Sequence, residues 1–171
     1  MASKGGLGTG LSALFEDNKT NTDSGQTLRI TEIEPNREQP RKNFDDESIS
    51  ALAESIKQHG ILQPLLVRPY GSGYQIVAGE RRWRAARMLG LSEVPVQIKE
   101  LSDLEAMQIA LIENLQRENL NPVEEAKGYS ELVESFGMTQ EDVAKTVGRS
   151  RSSVANAMRL LALPNEVLEM L

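Results

Sequence analysis

Two hydrophobic patterns alternate in the first part of the chain, between residues 27 and 101. Apolar residues that alternate with polar ones, or that form short uninterrupted runs, predict β-strands. The predicted strands cover residues 28–33, 64–68, 74–78 and 94–98. The second and third of them flank a glycine-containing turn at residues 71–73, which is typical of a hairpin.

Two helices are predicted between these strands, because apolar residues recur there at intervals of three and four and each stripe stops at a glycine. The stripes are Ile49, Leu52, Ala53 and Ile56 before Gly60, and Trp83, Ala86 and Leu89 before Gly90. Together with the strands they predict a small α/β domain over residues 27–101.

Strand signals vanish after Leu101, and three helix starts follow. Residues 102–105 and 139–142 have the spacing of capping boxes, and Asn121 precedes a proline suited to the first helical position. Residues 102–171 are therefore predicted to form an all-α domain.

Residues 139–161 predict a helix-turn-helix within that domain. A short helix ends at Gly148, which supplies the turn, and a second helix opens with Ser150. Ala144 is small where the two helices should cross, and Val154 can reach the shared core. An ordinary helical hairpin with a solvated basic face is the alternative.

The start of the second helix is the candidate DNA surface, because in such motifs it meets base edges in the major groove. Residues 100–142 hold eleven acidic and two basic residues, whereas residues 144–164 hold no acid and four basic residues. A formal net charge of −6 therefore does not exclude DNA binding, since only the local field must favour phosphate. The candidate DNA-binding residues are Arg149, Ser150, Arg151, Ser152, Ser153 and Asn156.

An arginine cluster occupies the start of the second α/β helix. The stretch AGERRWRAARMLG places four arginines within seven residues, directly after Gly79 and Glu80. Free N–H groups already make a helix N-terminus positive, so cations are unfavourable there unless an anion binds. A phosphate site resolves this conflict, because glycine permits close approach and arginine forks bind phosphate. A salt-bridge network with the acidic helices after Leu101 is the alternative.

Glu113 and Asn114 lie at the end of the helix that follows Ser102. Phosphate chains usually bring magnesium, which prefers carboxylate and amide oxygens, so this pair is a candidate metal site. The chain has no cysteine and one histidine, His59. This composition excludes disulfides, thiol nucleophiles, cysteine-zinc sites and a histidine metal cluster.

Residues 1–26 are predicted to be a flexible tail, since they are rich in glycine and small polar residues. A peptide that folds onto a partner is the alternative. The chain has no apolar run near the roughly 20 residues that span a bilayer, and its start lacks the apolar region of a secretory signal. A cytoplasmic location without membrane contact is therefore expected.

These segments together resemble the ParB family of bacterial chromosome-partitioning proteins. The resemblance rests on LAESIKQHGILQPLLV, GERRWRAA, ENLQRENLNPVEEAKGY and RSRSSVANAMRLLALP, which occur in the family's order over nearly the whole chain. It implies a nucleoid-associated DNA clamp that binds and hydrolyses CTP with Mg²⁺. A dimer of such a clamp loads at the palindromic centromere-like site parS, closes its N-terminal domains and slides onto neighbouring DNA.

The resemblance also implies roles for individual residues. Those implied to bind the nucleotide are Gly79, Glu80, Arg81 and Arg82 at the triphosphate, Asn114 at its metal end, and Arg41 and Gln63 in segments that enclose it. Glu113 is implied to support hydrolysis as well as to bind the metal. Arg151 and its neighbours are implied to recognise parS.

Two features depart from the family pattern. The tail resembles the peptide that contacts a ParA-type ATPase, but Thr9 stands where a lysine or arginine is common. Residues 164–171 break off as another helix starts, whereas the family continues into a C-terminal dimerisation domain. We therefore expect a truncated chain that self-associates through its N-terminal domain.

Three other hypotheses remain at this point. A nucleoid-occlusion relative would share the CTP chemistry but use an amphipathic membrane helix, which the glycine-rich tail fits poorly. A plain transcription regulator leaves the arginine cluster unexplained. An enzyme on the same α/β domain, such as a sulfiredoxin-like phosphoryl-transfer protein, is the third. The lack of cysteine excludes only sulfiredoxin chemistry itself, and selectivity for ATP would support this hypothesis.

Overall fold

The computed structural model describes residues 26–36, 46–117 and 120–168. Residues 1–25 of the predicted tail and the segment that holds Arg41 lie outside these residues, whereas Gln26, predicted as the last tail residue, begins the first strand. The strands are β1 (Gln26–Arg29), β2 (Ile33–Glu34), β3 (Leu65–Tyr70), β4 (Gly73–Ala78) and β5 (Glu93–Ile98). The α-helices are α1 (Asp46–His59), α2 (Glu80–Met88), α3 (Asp103–Leu115), α4 (Pro122–Glu134), α5 (Gln140–Val147), α6 (Arg151–Leu160) and α7 (Asn165–Leu168). No helix in the described part of the chain is long and apolar enough to cross a membrane.

The five strands form one mixed sheet in the order β1-β5-β3-β4-β2. β3 and β4 form the predicted antiparallel hairpin, β1 lies antiparallel to β5, and the β3–β5 and β2–β4 pairs are parallel. The single strand predicted at residues 28–33 is wrong. It is split by a 3-10 helix (Ile30–Glu32), so that its two halves lie at opposite edges of the sheet. The Glu32 carboxylate accepts the Arg29 N–H at 3.1 Å and stabilises this bend.

The α/β core follows the predicted apolar stripes. Trp83 and Ala86 of α2 pack on the sheet against Leu65, Ile76 and Val94. The α1 stripe is buried as well, with Ile49, Ala53 and Ile56 packed against Ala85 on the other side of α2. α2 is therefore held on two sides, which fixes the direction in which its first turn points.

The chain divides into two compact units, and the boundary falls between Asn114 and Leu115. α3 thus belongs with the sheet, beyond the boundary expected at Leu101 from the loss of strand signals. Arg68 of β3 provides a physical reason. Its buried guanidinium donates to the Leu101 carbonyl at 3.3 Å and pairs with Asp103 at 2.6 Å, which joins the start of α3 to the sheet.

The second unit is helical, as predicted. Asn121 caps α4 by accepting the Val123 N–H at 2.7 Å. Thr139 and Asp142 form the predicted capping box of α5. Gly128 of α4 is required for close packing, because a Cβ atom there would lie 2.6 Å from Leu115 Cδ2.

Candidate functional sites

The first turn of α2 follows β4 through a single glycine. Gly79 has a φ of +98° and is the N-terminal cap residue, and no described side chain caps this helix. A Cβ atom at Gly79 would also lie 3.0 Å from Arg82 Nη2. Glycine is therefore needed twice, for the left-handed backbone and for the space that the Arg82 guanidinium occupies.

Arg82 connects three segments of the α/β unit. Its Nη1 donates to the carbonyls of Gln63, at 2.5 Å, and Pro64, at 2.7 Å, in the loop before β3. Burial lowers the pKa of Arg82 from its ordinary value, and the nearby charge of Glu113 opposes this shift. The structure thus brings together three predicted nucleotide-binding residues, Gly79, Arg82 and Gln63, with Glu113, the predicted catalytic and metal residue, near enough to act on Arg82.

Arg81 has a donor without a partner. Its Nη2 lies 3.4 Å from the Ser48 carbonyl, but its Nε is buried and has no hydrogen-bond partner among the described residues. A buried donor left unpaired costs about 1–3 kcal/mol. An acceptor supplied from outside the described residues would satisfy Arg81 Nε.

The other two arginines of the cluster have partners on their own helix. Arg84 pairs with the buried Glu80 at 2.6 Å, and Arg87 lies over the Trp83 ring at 4.9 Å from its centroid. The alternative of a salt-bridge network therefore holds only in part. Arg84 does form a salt bridge, but its partner Glu80 lies on α2 and not on a helix after Leu101. The Arg84 contact gives Glu80 a structural role, and its predicted phosphate contact stays a prediction.

Glu113 and Asn114 lie on the last turn of α3, and both are half-buried. Ser102 fixes the other end of this helix by donating its N–H and hydroxyl to Glu105, which lowers the pKa of that carboxyl. The described residues contain no group of three or more His, Cys, Asp or Glu that could hold a metal. A carboxylate and an amide fit Mg²⁺, which commonly takes its remaining ligands from substrate phosphates and water.

The predicted helix-turn-helix is formed by α5 and α6. Gly148 ends α5 with a φ of +70°, and the Ser150 hydroxyl caps α6 by accepting the Ser153 N–H at 3.1 Å. Ala144 and Val154 are buried between the helices, as expected. All six candidate DNA residues are exposed around the start of α6: Arg149, Ser150, Arg151, Ser152, Ser153 and Asn156.

Two residues of α4 that were not predicted from the sequence lie beside this surface. The buried hydroxyl of Tyr129 donates to Glu125 Oε1, and Arg149 Nε lies 3.9 Å from the same oxygen. Burial, followed by the Glu125 hydrogen bond, raises the pKa of Tyr129 far above its usual value. The i,i+4 spacing of an acid and a tyrosine was the available signal for this contact.

Comparison with known proteins identifies the family. A sequence model of the ParB N-terminal domain matches residues 15–115, and one of the ParB HTH domain matches residues 118–171. The chain belongs to the ParB family. The chromosome-partitioning protein Spo0J of Thermus thermophilus is 58% identical to this chain, over 97% of this chain and 60% of the relative's own length. The stage 0 sporulation protein J of Bacillus subtilis is 49% identical over 97% of the chain and 59% of its own length.

Two crystal structures of C-terminally truncated ParB from Caulobacter crescentus are also similar, each at 50% identity. The complex with the centromeric parS site has a TM-score of 0.77 and covers 85% of the chain and 76% of its own. The complex with CTP-gamma-S has a TM-score of 0.52, and the match covers 86% of this chain and 83% of the Caulobacter chain. The chain spans about 60% of the length of the curated relatives that it matches. The family resemblance and the α/β plus helix-turn-helix fold are thus confirmed.

Proposed function

We propose that this ParB-family chain is a CTP-switched clamp of chromosome partition, which binds parS through α6 and binds and hydrolyses CTP at the first turn of α2. The observation that carries the nucleotide part is the buried, unpartnered Nε of Arg81 at an uncapped helix N-terminus. The CTP-gamma-S and parS complexes of similar proteins support both ligands.

The first turn of α2 suits a triphosphate. Its free N–H groups and helix dipole favour negative charge, and Gly79 leaves room for the Arg82 guanidinium beside the backbone there. Arg81 supplies a desolvated donor, and Arg82 is already oriented by two loop carbonyls. A cation whose orientation is fixed before binding loses little side-chain entropy when the anion arrives.

Glu113 is the proposed catalytic residue, and with Asn114 it would hold Mg²⁺. When bound, the metal ion neutralises phosphate charge. The charge of Glu113 acts on Arg82 and opposes the lowering of its pKa, which supports a place for this carboxylate in the same site. We assign to it the orientation of the attacking water, because a half-buried carboxylate is a hydrogen-bond acceptor suited to that task.

The remaining assignments follow the family. The described α6 surface would contact parS, with Arg151 and Asn156 able to make bidentate base contacts. A ParA-type ATPase would contact the tail, and self-association of N-terminal domains would close the clamp on DNA in the nucleoid.

The test combines nucleotide binding with turnover. Calorimetry should show binding of CTP in preference to ATP, GTP and UTP. Arg81→Ala should weaken CTP binding about tenfold or more, because a charge-assisted contact is lost. Arg87→Ala is the control, since Arg87 stacks on Trp83 near the other end of α2.

Glu113→Gln should bind CTP but release phosphate slowly in the presence of parS, because it keeps the side-chain shape and removes the charge. Parent-like CTP binding by Arg81→Ala would contradict the proposed site. Parent-like turnover by Glu113→Gln would contradict the catalytic assignment.

A further inference from the structure

One acidic side chain faces the candidate DNA surface from outside the helix-turn-helix. Glu125 lies on α4, whereas Arg149 lies in the turn between α5 and α6. Glu125 Oε1 is 3.9 Å from Arg149 Nε, and the exposed fractions of the two side chains are 27% and 58%. A carboxylate beside a candidate DNA surface repels phosphate groups and so weakens nonspecific binding of DNA. Its position there therefore needs an explanation.

The Glu125 carboxylate is held in place by the helical core. Tyr129 is 1% exposed, and its hydroxyl donates to the same Glu125 oxygen that faces Arg149. The Tyr129 hydroxyl is a protonated donor at neutral pH, and burial, which raises its pKa further, extends this to more alkaline solution. A buried tyrosine hydroxyl requires an acceptor, so Tyr129 restricts the rotamers that Glu125 can adopt.

The backbone of Arg149 is also fixed. Its N–H donates to the Ala144 carbonyl at 2.9 Å, and it lies between Gly148, with a φ of +70°, and the cap residue Ser150. The freedom of Arg149 is therefore confined to its long side chain, and Glu125 is its charged partner among the described residues. The pair therefore controls where this guanidinium lies before DNA arrives.

We propose that Tyr129 and Glu125 are positioning residues for DNA recognition, which hold Arg149 at the turn and prevent it from acting as a general phosphate contact. This inference rests on the proposed binding of parS by α6. On a scrambled duplex, Arg149 would have to leave Glu125 to reach a phosphate. On parS, Arg149 would meet the DNA while it keeps its contact with Glu125, so the pair adds no cost to specific binding. Glu125 thus increases the ratio of specific to nonspecific affinity.

The experiment compares Glu125→Gln with Glu124→Gln in the full chain. Glu124 is the exposed preceding residue on α4, so both variants remove one negative charge from the same turn. Affinities for parS and scrambled duplexes are measured between about 50 and 200 mM salt. Glu125→Gln should bind the scrambled duplex about fivefold more tightly and steepen its salt slope by about 0.9, the value for one added phosphate contact. Its preference for parS should fall by a similar factor, whereas Glu124→Gln should change both duplexes equally.

Two further variants test whether Glu125 acts through Arg149 and Tyr129. In an Arg149→Gln background, Glu125→Gln should no longer change the salt slope or the preference for parS. Tyr129→Phe keeps the Glu125 charge but releases its carboxylate, so it should lower the preference for parS by less than Glu125→Gln does. Equal slopes and preferences for Glu125→Gln and Glu124→Gln would overturn this inference alone. A parent chain that does not prefer parS would overturn the proposed DNA binding together with the inference.

Discussion

The helices α2 and α6 both begin beside arginines, but only α6 has a side-chain cap at its first turn among the described residues. At α6 the Ser150 hydroxyl accepts the Ser153 N–H, and the arginines stay exposed to solvent. At α2 no described side chain caps the helix, and Arg82 is turned inward to loop carbonyls. An uncapped turn with oriented arginines suits one anion of defined shape. A capped turn with exposed arginines suits an extended polyanion whose binding depends on salt.

The largest effect is expected from removing Arg82. Arg82→Ala leaves the Gln63 and Pro64 carbonyls without their donor and removes a cation from the anion site. CTP affinity should fall tenfold or more, and the free energy of unfolding by about 1.5 kcal/mol. Calorimetry and thermal unfolding provide the two measurements.

Arg82→Lys separates charge from geometry. Its ammonium can replace Nη1, which donates to both carbonyls, but it lacks the other guanidinium N–H groups for an anion, so it should restore stability more fully than CTP affinity. If Arg82→Ala binds CTP like the parent while losing stability, the first turn of α2 is a structural feature and the contrast with α6 fails.

A smaller effect is expected at α6. Arg151→Ala should reduce the preference for parS over a scrambled duplex by about tenfold, because one bidentate base contact is worth about 1–3 kcal/mol. CTP binding should not change. The two duplexes are compared by fluorescence anisotropy at matched salt, with Arg159→Ala in the last turn of α6 as the control. An equal loss for both duplexes would make Arg151 a phosphate contact instead.

The smallest effect concerns the capping box of α5. Thr139 donates its hydroxyl and N–H to Asp142, and these hydrogen bonds lower the pKa of Asp142. A lowered folded-state pKa means that the contribution of Asp142 to stability is complete above its ordinary pKa of about 3.9. This contribution is lost as the pH falls through the lowered value.

Asp142→Ala should therefore lower the free energy of unfolding by about 1 kcal/mol near pH 7. Denaturant unfolding, repeated at a series of pH values, should show this loss diminishing at the acidic end of the series. Glu141→Ala is the matched control, because Glu141 makes an exposed pair with Lys145 at 3.0 Å, which is worth less. A cost for Asp142→Ala that stays constant down to the lowest pH would show that its charge does not stabilise the cap.

Sequence patterns predicted elements whose signals are local. Capping spacings located α3 and α5, and Gly148 with Val154 located the helix-turn-helix, because caps and turns are specified by neighbouring residues. The pattern at residues 28–33 failed, since an alternating run does not reveal that the chain bends through a 3-10 helix and continues at the far edge of a sheet.

The site was predictable in its residue types but not in its contacts. The sequence indicated that Arg81 and Arg82 need an anion, because cations at a helix N-terminus conflict with the dipole. It could not indicate that Arg82 would reach the carbonyls before β3, since side-chain reach across nineteen positions depends on the packing of α2 against the sheet. The link between Glu125 and Arg149 was hidden for the same reason, because it joins two helices rather than two neighbours.

The packing of Trp83 has a practical consequence for spectroscopy. The sequence contains one tryptophan, and it lies next to Arg82 in the chain and beneath the Arg87 guanidinium. Its intrinsic fluorescence therefore arises from the α/β unit alone, from an indole whose local field changes when charge accumulates at the start of α2. If the proposed nucleotide binds at α2, emission from this indole reports its arrival without a label, since the helical unit contributes no tryptophan emission of its own.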